Sequence, residues 1–400
     1  MTVAIGGVAW GWRGNFMEDL VRISLILLSF WLIRLSPLTQ YYSRLKMSLS
    51  QGWAVMMLFL IGVFCAPDIL RIYYFFEMTL IPIFIIIMGW GYQIERLLAS
   101  LMLFFYTFLA SLPLLLLILL RSFLGGRRIC LIIISGLKLG TLSFVMGITA
   151  FLVKFPAFLV HSWLPKAHVE APVSGSMLLA GILLKLGGYG LIRLTWILNI
   201  RERFFVLRSL ILLGGGGLGI LCLGVRDIKI LIAYSSVVHI ALIIFNLKVF
   251  RGMGLAGGII IIIAHGICSS GLFALANMFY ERSHSRSFVL NKGVGSKSPF
   301  VLGLMFFLIR ANFGGPFSFN LLGEVILIAS IARVNLSLII RLLLLSFFSA
   351  AYSLVLYRSL CQGFDTLLIR GSQEFSSREL RVLIAHVWPL CLLRGAPIFF

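Results

Sequence analysis

The sequence predicts an all-α polytopic membrane protein with about twelve transmembrane helices. Of its 400 residues, 60% are hydrophobic and 12% are charged, which is about half the charged fraction of a typical soluble chain. One bilayer crossing takes roughly 20 apolar residues, so this apolar content suffices for about twelve crossings. The apolar residues also form uninterrupted blocks instead of alternating with polar ones. Such blocks indicate helices and argue against a membrane β-barrel.

Clusters of charge, proline and glycine divide the chain into twelve predicted spans. They cover residues 20–37, 50–66, 68–88, 97–120, 140–163, 173–197, 205–224, 228–247, 253–280, 299–331, 335–358 and 379–396. The predicted loops between them are mostly short, which leaves no separate soluble domain for a flavin, an iron-sulfur cluster or a nucleotide. We therefore expect the chemistry to lie within the membrane and no cofactor to be held by this chain.

The net charge of +21 does not indicate nucleic-acid binding. The basic residues are scattered among the loops, on alternate sides of the membrane, and none belongs to a folded basic domain. We expect them to face anionic lipid such as cardiolipin. The six cysteines show no metal-ligand spacing, so no metal site is predicted. The stretch up to Asp19 predicts no cleavable signal peptide.

Two predicted spans contain a proline at a point where the helix should break. Pro156 follows Lys154 in the fifth span, and Pro316 follows two glycines in the tenth. Proline donates no backbone hydrogen bond and clashes with the carbonyl four residues earlier, here that of Leu152 or Asn312, so we expect these carbonyls to be left unpaired in mid-membrane. Corresponding broken helices in two halves of a chain are typical of inverted-repeat transporters. The alternative at each site is a passive proline kink.

Four charged residues lie deep in predicted spans. Glu77 is about 14 Å into the span that begins near Asp68, and Lys185 about 18 Å into the span that begins near residue 173. Lys154 and Glu324 lie within the two broken spans. Each such charge costs about 2.5 to 3.5 kcal/mol on insertion scales. Retention of all four indicates a function.

Buried titratable groups in a row can pass protons, because the charge on one group changes the proton affinity of the next. His239 and His265 lie in apolar spans and could bridge the gaps between the charged residues. The sequence therefore predicts a proton relay. The alternatives are a static Glu77–Lys154 ion pair that fixes helix packing, and ordinary core histidines.

Other motifs are interpreted as structural. The GxGxxG pattern occurs at 214–219 and at 252–257, within or beside apolar helices, where glycine permits close packing. His161 and His168, with Glu170 nearby, have no third and fourth ligand at a suitable spacing for a metal.

Several runs carry a resemblance to a known family. They are FFEMTLIP at 75–82, the 39-residue run at 152–190, LIAYSSVVHIAL at 231–242, the run at 264–286 and NLLGE at 320–324. Together they resemble the subunit 4 family of respiratory NADH:ubiquinone oxidoreductase, complex I, in its mitochondrially encoded form. The resemblance covers most of the chain after residue 20.

The resemblance implies an architecture and a set of partners. It implies a short N-terminal region with one span (1–49), two antiporter-like repeats (50–200 and 201–360) and a final loop and span (361–400). It also implies a multi-pass subunit of the mitochondrial inner membrane, beside other antiporter-like membrane-arm subunits. Protons would move through it, coupled to quinone reduction elsewhere in the complex, with no redox chemistry in this chain.

The resemblance also assigns roles to residues. Glu77 and Lys154 would form the family's modulating pair. The central hydrophilic axis would run through Lys185, His239 and His265 and end at Glu324 on the second broken helix. Glutamate at that last position favours subunit 4 over subunits 2 and 5, which resemble a version with lysine there. The lack of a long amphipathic C-terminal helix also argues against subunit 5.

Two departures from the family pattern remain. The N-terminus is shorter, as though the first two spans were missing. Arg310 stands where the family generally has a small neutral residue, and it could raise the positive potential near Glu324 or face a water-filled entrance. Two rival functions are a subunit of a multisubunit cation/proton antiporter and a purely structural membrane-arm protein.

Overall fold

The computed structural model describes residues 4–39, 46–125, 141–198, 205–246, 253–293, 298–316, 318–332, 337–362 and 375–392. In these ranges the chain is almost entirely helical. The helices are α1 (Ala4–Leu35), α2 (Lys46–Cys65), α3 (Ile69–Met78), α4 (Leu80–Trp90), α5 (Arg96–Gly125), α6 (Thr141–Lys154), α7 (Trp163–Glu170), α8 (Val173–Leu178), α9 (Leu184–Leu198), α10 (Phe205–Gly224), α11 (Ile228–Phe245), α12 (Met253–Ser283), α13 (Pro299–Asn312), α14 (Phe319–Ala332), α15 (Ser337–Cys361) and α16 (Ser377–Leu392). A π-helical segment, Leu179–Leu183, joins α8 to α9.

The all-α membrane fold is confirmed. Seven helical stretches are long and apolar enough to cross a membrane, and five shorter apolar helices accompany them among the residues that the structure describes. Each predicted span coincides with one helix or with consecutive helices. The span 68–88 matches the apolar stretch Ile69–Trp90, which a one-residue interruption at Thr79 divides into α3 and α4 although Thr79 keeps helical dihedrals (φ −66°, ψ −19°). Pro82 in α4 cannot donate to the carbonyl of Met78, which weakens the helix at this point.

Both spans with the predicted breaks are broken in the structure. Helix α6 ends at Lys154 and α7 begins at Trp163, while α13 ends at Asn312 and α14 begins at Phe319. The sequence predicts an unpaired carbonyl at Leu152, and this prediction is wrong. The carbonyl accepts a hydrogen bond from the backbone N–H of Ala157 at 3.0 Å.

Side chains satisfy three further carbonyls at the two breaks. The indole of Trp163 donates to the carbonyl of Val153 at 3.1 Å. The amide of Asn320 donates to the carbonyls of Ala311 at 3.2 Å and Asn312 at 3.4 Å. Protein groups therefore replace part of the helical hydrogen bonding at each break, which membrane-embedded backbone favours.

Three long helices form the centre of the bundle. Nearly all residues of Val173–Leu194, Ile228–Phe245 and Met253–Ser283 are buried. By contrast, most residues of Arg96–Leu120 and Leu338–Cys361 are partly or fully exposed, and these stretches present large apolar side chains outward. An apolar exterior of this kind is typical of a lipid-facing surface. Polar side chains on the central helices are therefore shielded from lipid by the outer helices.

Candidate functional site

Lys154 lies at the first helix break, where it is 2% exposed as the last residue of α6. Its ammonium donates to the carbonyl of Phe76 at 2.8 Å and to the hydroxyl of Thr79 at 3.3 Å. The ammonium nitrogen also lies 3.2 Å from the centroid of the Phe76 ring. These groups come from the end of α3 and from Thr79, the residue between α3 and α4. The junction of α3 and α4 therefore supplies the groups that hold the Lys154 ammonium.

Glu77 lies at the same junction, one residue from Phe76. Its side chain is half-buried and lies near Ser111, and one carboxylate oxygen is buried with no hydrogen-bond partner among the described residues. The charges of Glu77 and Lys154 interact through space. No direct ion pair joins them in the part of the chain that the structure describes. The predicted pair is thus brought together electrostatically, with the Phe76 carbonyl as the nearer partner of Lys154.

Lys185 lies just after the π-helical segment and is 2% exposed. Its ammonium donates to the carbonyl of Ala180 at 2.5 Å and lies 3.2 Å from Nδ1 of His265. A π-helical turn widens the backbone by one residue per turn and is frequent at functional sites. Here it lets the lysine side chain reach a carbonyl of its own helix while still contacting α12.

His265, His239 and Glu324 continue from Lys185 across three helices. The rings of His265 on α12 and His239 on α11 have centroids 5.3 Å apart. Nδ1 of His239 then lies 3.5 Å from Oε1 of Glu324 on α14. Both histidines are 2% exposed and Glu324 is 6% exposed. The four side chains form a continuous buried row.

The second helix break brings backbone directly against Glu324. Gly314 has a φ of +66°, in the left-handed region, and a Cβ added there would lie 2.6 Å from Oε2 of Glu324. A side chain at this position would therefore meet both backbone strain and a steric clash. Pro316 follows in the same turn and prevents the helix from continuing. The break thus forms one wall of the carboxylate site.

The first break and the row are linked by packing. Gly187 is two residues beyond Lys185, and a Cβ added there would lie 2.6 Å from the backbone nitrogen of Phe155. Helix α9 therefore rests directly on the backbone that follows Lys154. This close approach gives a movement at the first break a direct mechanical route to Lys185.

The sequence reasoning did not single out Lys229, His168 or Tyr352 as polar groups of the core. Lys229 is 2% exposed and donates to the carbonyls of Val169 at 3.3 Å and Ala171 at 3.5 Å. Lys229 is the second residue of its span, and a lysine at a span end is ordinarily assigned to the adjoining loop. His168 is fully buried, with its ring stacked on Phe273 at a centroid distance of 4.4 Å.

Tyr352 on α15 is fully buried, and its hydroxyl has no hydrogen-bond partner among the residues that the structure describes. It lies within electrostatic range of the Glu324 carboxylate. An isolated tyrosine in an apolar helix gives no sequence signal for such a position, because tyrosine is common in membrane helices.

The chain was compared with known protein families and structures. A family model described as NADH:quinone oxidoreductase/Mrp antiporter, TM, matches residues 66–349. The NADH-ubiquinone oxidoreductase chain 4 of Ceratitis capitata is 43% identical over 385 residues, covering 94% of this chain and 85% of that protein. The chain 4 protein of Aedes aegypti is 47% identical over 329 residues, covering 80% of this chain and 72% of that protein.

Solved structures show the same fold at lower identity. A chain of respiratory complex I from Thermus thermophilus matches with a TM-score of 0.82 and 24% identity, covering 96% of this chain and 81% of that one. A chain of the Mrp complex from Dietzia sp. DQ12-45-1b matches with a TM-score of 0.82 and 16% identity, covering 95% and 81%. Both likenesses concern the fold alone.

Proposed function

This chain belongs to the membrane-subunit family shared by NADH:quinone oxidoreductases and Mrp antiporters, and from this premise we propose that it carries protons along its buried row of side chains. Within that family it is a chain 4 protein, an antiporter-like, proton-pumping membrane subunit of NADH:ubiquinone oxidoreductase. The Mrp likeness, at 16% identity, supports the fold and gives no separate reason to choose an antiporter.

One observation supports the relay above all others. Lys185, His265, His239 and Glu324 follow one another at 3.2 Å, 5.3 Å between ring centroids and 3.5 Å. Each can gain and lose a proton, and direct or single-water contacts between such groups are suitable for proton transfer. The Nε2 atoms of both histidines make no hydrogen bond with described residues, so each ring keeps a second nitrogen for exchange.

Glu77 and Lys154 act on this row through their charge. Lys154 is held by a carbonyl, a hydroxyl and an aromatic ring, none of which accepts its proton near neutral pH. In the proposed cycle, quinone reduction elsewhere in the complex shifts charge and hydration laterally into the Glu77–Lys154 pair. The altered field then changes the proton affinity of Lys185, and the proton is exchanged through the histidines and Glu324.

The setting of the chain follows the same premise. We place it in the mitochondrial inner membrane, beside other membrane-arm subunits, with anionic lipid such as cardiolipin at its basic loop ends. Residues 50–200 and 201–360 would be the two antiporter-like repeats, each with one broken helix. The charged pair would then belong to the first repeat and Glu324 to the second.

Glu77→Gln and Lys154→Ala, made in the assembled complex, test this function. Each should strongly lower the number of protons pumped per NADH oxidised, because each removes a charge that drives Lys185. Proton uptake by vesicles during NADH oxidation is the measurement. Glu95→Gln and Lys166→Ala are matched controls, since both residues are exposed. Normal pumping by the assembled variants would eliminate the relay.

The same preparation separates the rival functions. Loss of assembly with normal pumping in whatever complex remains would indicate a purely structural role for the buried charges. A proton flux driven by a sodium gradient without NADH would indicate a cation/proton antiporter.

A further inference from the structure

Arg310 is a charged residue of the second broken span that the proposed relay does not use. It is the third residue from the end of α13 (Pro299–Asn312) and is half-buried. At 1.5 Å per residue it lies about 16 Å from the start of that helix, near the middle of a hydrocarbon layer about 30 Å thick. From that depth an arginine side chain does not reach the headgroups at either surface.

The face of α13 that carries Arg310 is directed outward. One side of α13 carries residues spaced by three, one and three positions, namely Gly303, Phe306, Phe307 and Arg310. A Cβ added at Gly303 would meet nothing within 4 Å. The two phenylalanines are each 39% exposed. Arg310 therefore lies on the lateral surface of the chain.

The position of Arg310 is fixed by the helix break beside it. Its carbonyl accepts a hydrogen bond from the N–H of Gly315 at 2.8 Å, and a Cβ added at Gly315 would overlap the Cγ of Arg310. The guanidinium carbon lies 4.7 Å from the centroid of the Phe307 ring. The aliphatic part of the Arg310 side chain is thus held by the loop at Gly315, and its guanidinium lies over the outward-facing ring of Phe307.

The charge of Arg310 is not balanced within the part of the chain that the structure describes. Its Nε is buried and has no hydrogen-bond partner, and no described carboxylate forms an ion pair with it. Glu324 contacts Gly314 and His239 instead. An arginine on a lipid-facing surface without a counter-charge is costly, so a carboxylate from outside this chain would stabilise it.

We propose that Arg310 docks a carboxylate side chain of an adjoining membrane subunit at the second helix break. For a helix that begins at the membrane surface, this depth argues against a lipid phosphate and favours a protein carboxylate. The planar guanidinium fork matches a carboxylate through two parallel hydrogen bonds, and the exposed aromatic rings beside it would keep water away from the pair. This inference rests on the chain being one subunit of a membrane arm, and it does not depend on the relay.

A water-resolving density map of the intact complex is the first test. A carboxylate oxygen from a neighbouring chain should lie about 3 Å from a guanidinium nitrogen of Arg310. A guanidinium surrounded by acyl chains or by water alone would overturn the proposal. This measurement uses the unmodified protein, so it remains decisive if a substitution prevents folding.

Arg310→Gln supplies the second test. In detergent-solubilised complex this chain should dissociate at least roughly 30-fold faster, since removing one partner of a buried charge pair mainly raises the dissociation rate. The dissociation rate of the Arg310→Lys chain should lie between those of the unmodified chain and the Arg310→Gln chain. Lysine keeps the charge but cannot form two parallel hydrogen bonds with a carboxylate. Arg341→Gln, at an exposed arginine on α15, is the matched control. Equal retention of the Arg310→Gln and Arg341→Gln chains would overturn the proposal. Subunit retention is the readout here and proton pumping is the readout for the relay, so the two ideas can fail separately.

Discussion

The two helix breaks differ in what surrounds the charged side chain beside them. At the first break, the Lys154 ammonium is held by the Phe76 carbonyl, the Thr79 hydroxyl and an aromatic ring. At the second, the Glu324 carboxylate meets the imidazole of His239, which continues to further titratable groups. A charge among fixed dipoles acts on its surroundings through its field. A charge among imidazoles can also pass a proton.

The backbone of the two breaks differs in the same way. The first is made by Pro156 without glycine, has its own positive-φ residue in Leu159 (φ +89°), and is closed by the indole of Trp163. The second contains Gly314 in the left-handed region, which lets the backbone touch the Glu324 carboxylate. The first break therefore serves to hold an ammonium in place. The second gives a carboxylate access to both backbone and histidine.

The largest effect is expected from His239→Gln, which interrupts the row at its middle. Glutamine can donate and accept hydrogen bonds but does not exchange a proton near neutral pH. Pumping should fall on the order of 10²-fold, the scale at which a positioned acid or base contributes. Proton uptake per NADH in vesicles containing the assembled complex is the measurement.

His386→Gln is the matched control for this substitution. His386 is also fully buried, but its Nδ1 lies 2.8 Å from the Val382 carbonyl of its own helix, outside the row. Its replacement should leave pumping per assembled complex near normal. Equal pumping losses in the two histidine variants would remove the distinction between the row and an ordinary buried histidine.

A smaller effect is expected from Gly314→Ala. The added methyl would lie 2.6 Å from the Glu324 carboxylate, at a φ of +66° that alanine rarely adopts. Strain of this kind costs on the order of 1–3 kcal/mol. The thermal stability of the assembled complex should fall, and so should pumping, because Glu324 is displaced from His239.

Gly303→Ala provides the comparison, since nothing lies within 4 Å of the added methyl and alanine favours a helix. It should keep both stability and pumping. If Gly314→Ala behaves like Gly303→Ala, then the close contact between the second break and Glu324 does not matter.

The smallest effect is expected from Thr79→Val at the first break. This change removes the 3.3 Å hydrogen bond to the Lys154 ammonium and leaves the Phe76 carbonyl in place. A hydrogen bond from a charged donor is worth about 1.5–3 kcal/mol, and at 3.3 Å this one is long, so a loss of pumping of about tenfold is expected.

Thr107→Val tests whether any such loss is specific. The Thr107 hydroxyl is buried and bonds at 2.7 Å to the carbonyl of Leu103 in its own helix. Pumping should be unaffected by this control. A Thr79→Val complex that pumps as well as the Thr107→Val complex would show that the hydroxyl does not help to hold Lys154.

Much of the architecture was accessible from local sequence. The apolar blocks predicted the spans, and the prolines predicted both breaks, because proline acts on its own helix through its missing donor. The interruption at Thr79 was not predicted, although Pro82, which cannot donate to the Met78 carbonyl, gives a signal for it. The predicted unpaired carbonyl at Leu152 was wrong, because a bond from Ala157 closes the turn.

Membrane depth alone was enough to select Glu77, Lys154, Lys185 and Glu324, since each charge costs free energy to bury wherever its partner lies. Which groups touch each other depends on the packing of helices far apart in the chain, and periodicity within one helix carries no information about that packing. Only the tertiary structure could therefore place His265 between Lys185 and His239, bring Gly314 against Glu324, and leave Arg310 on the outer face. Burial cost is a property of one residue, whereas a contact is a property of the whole fold.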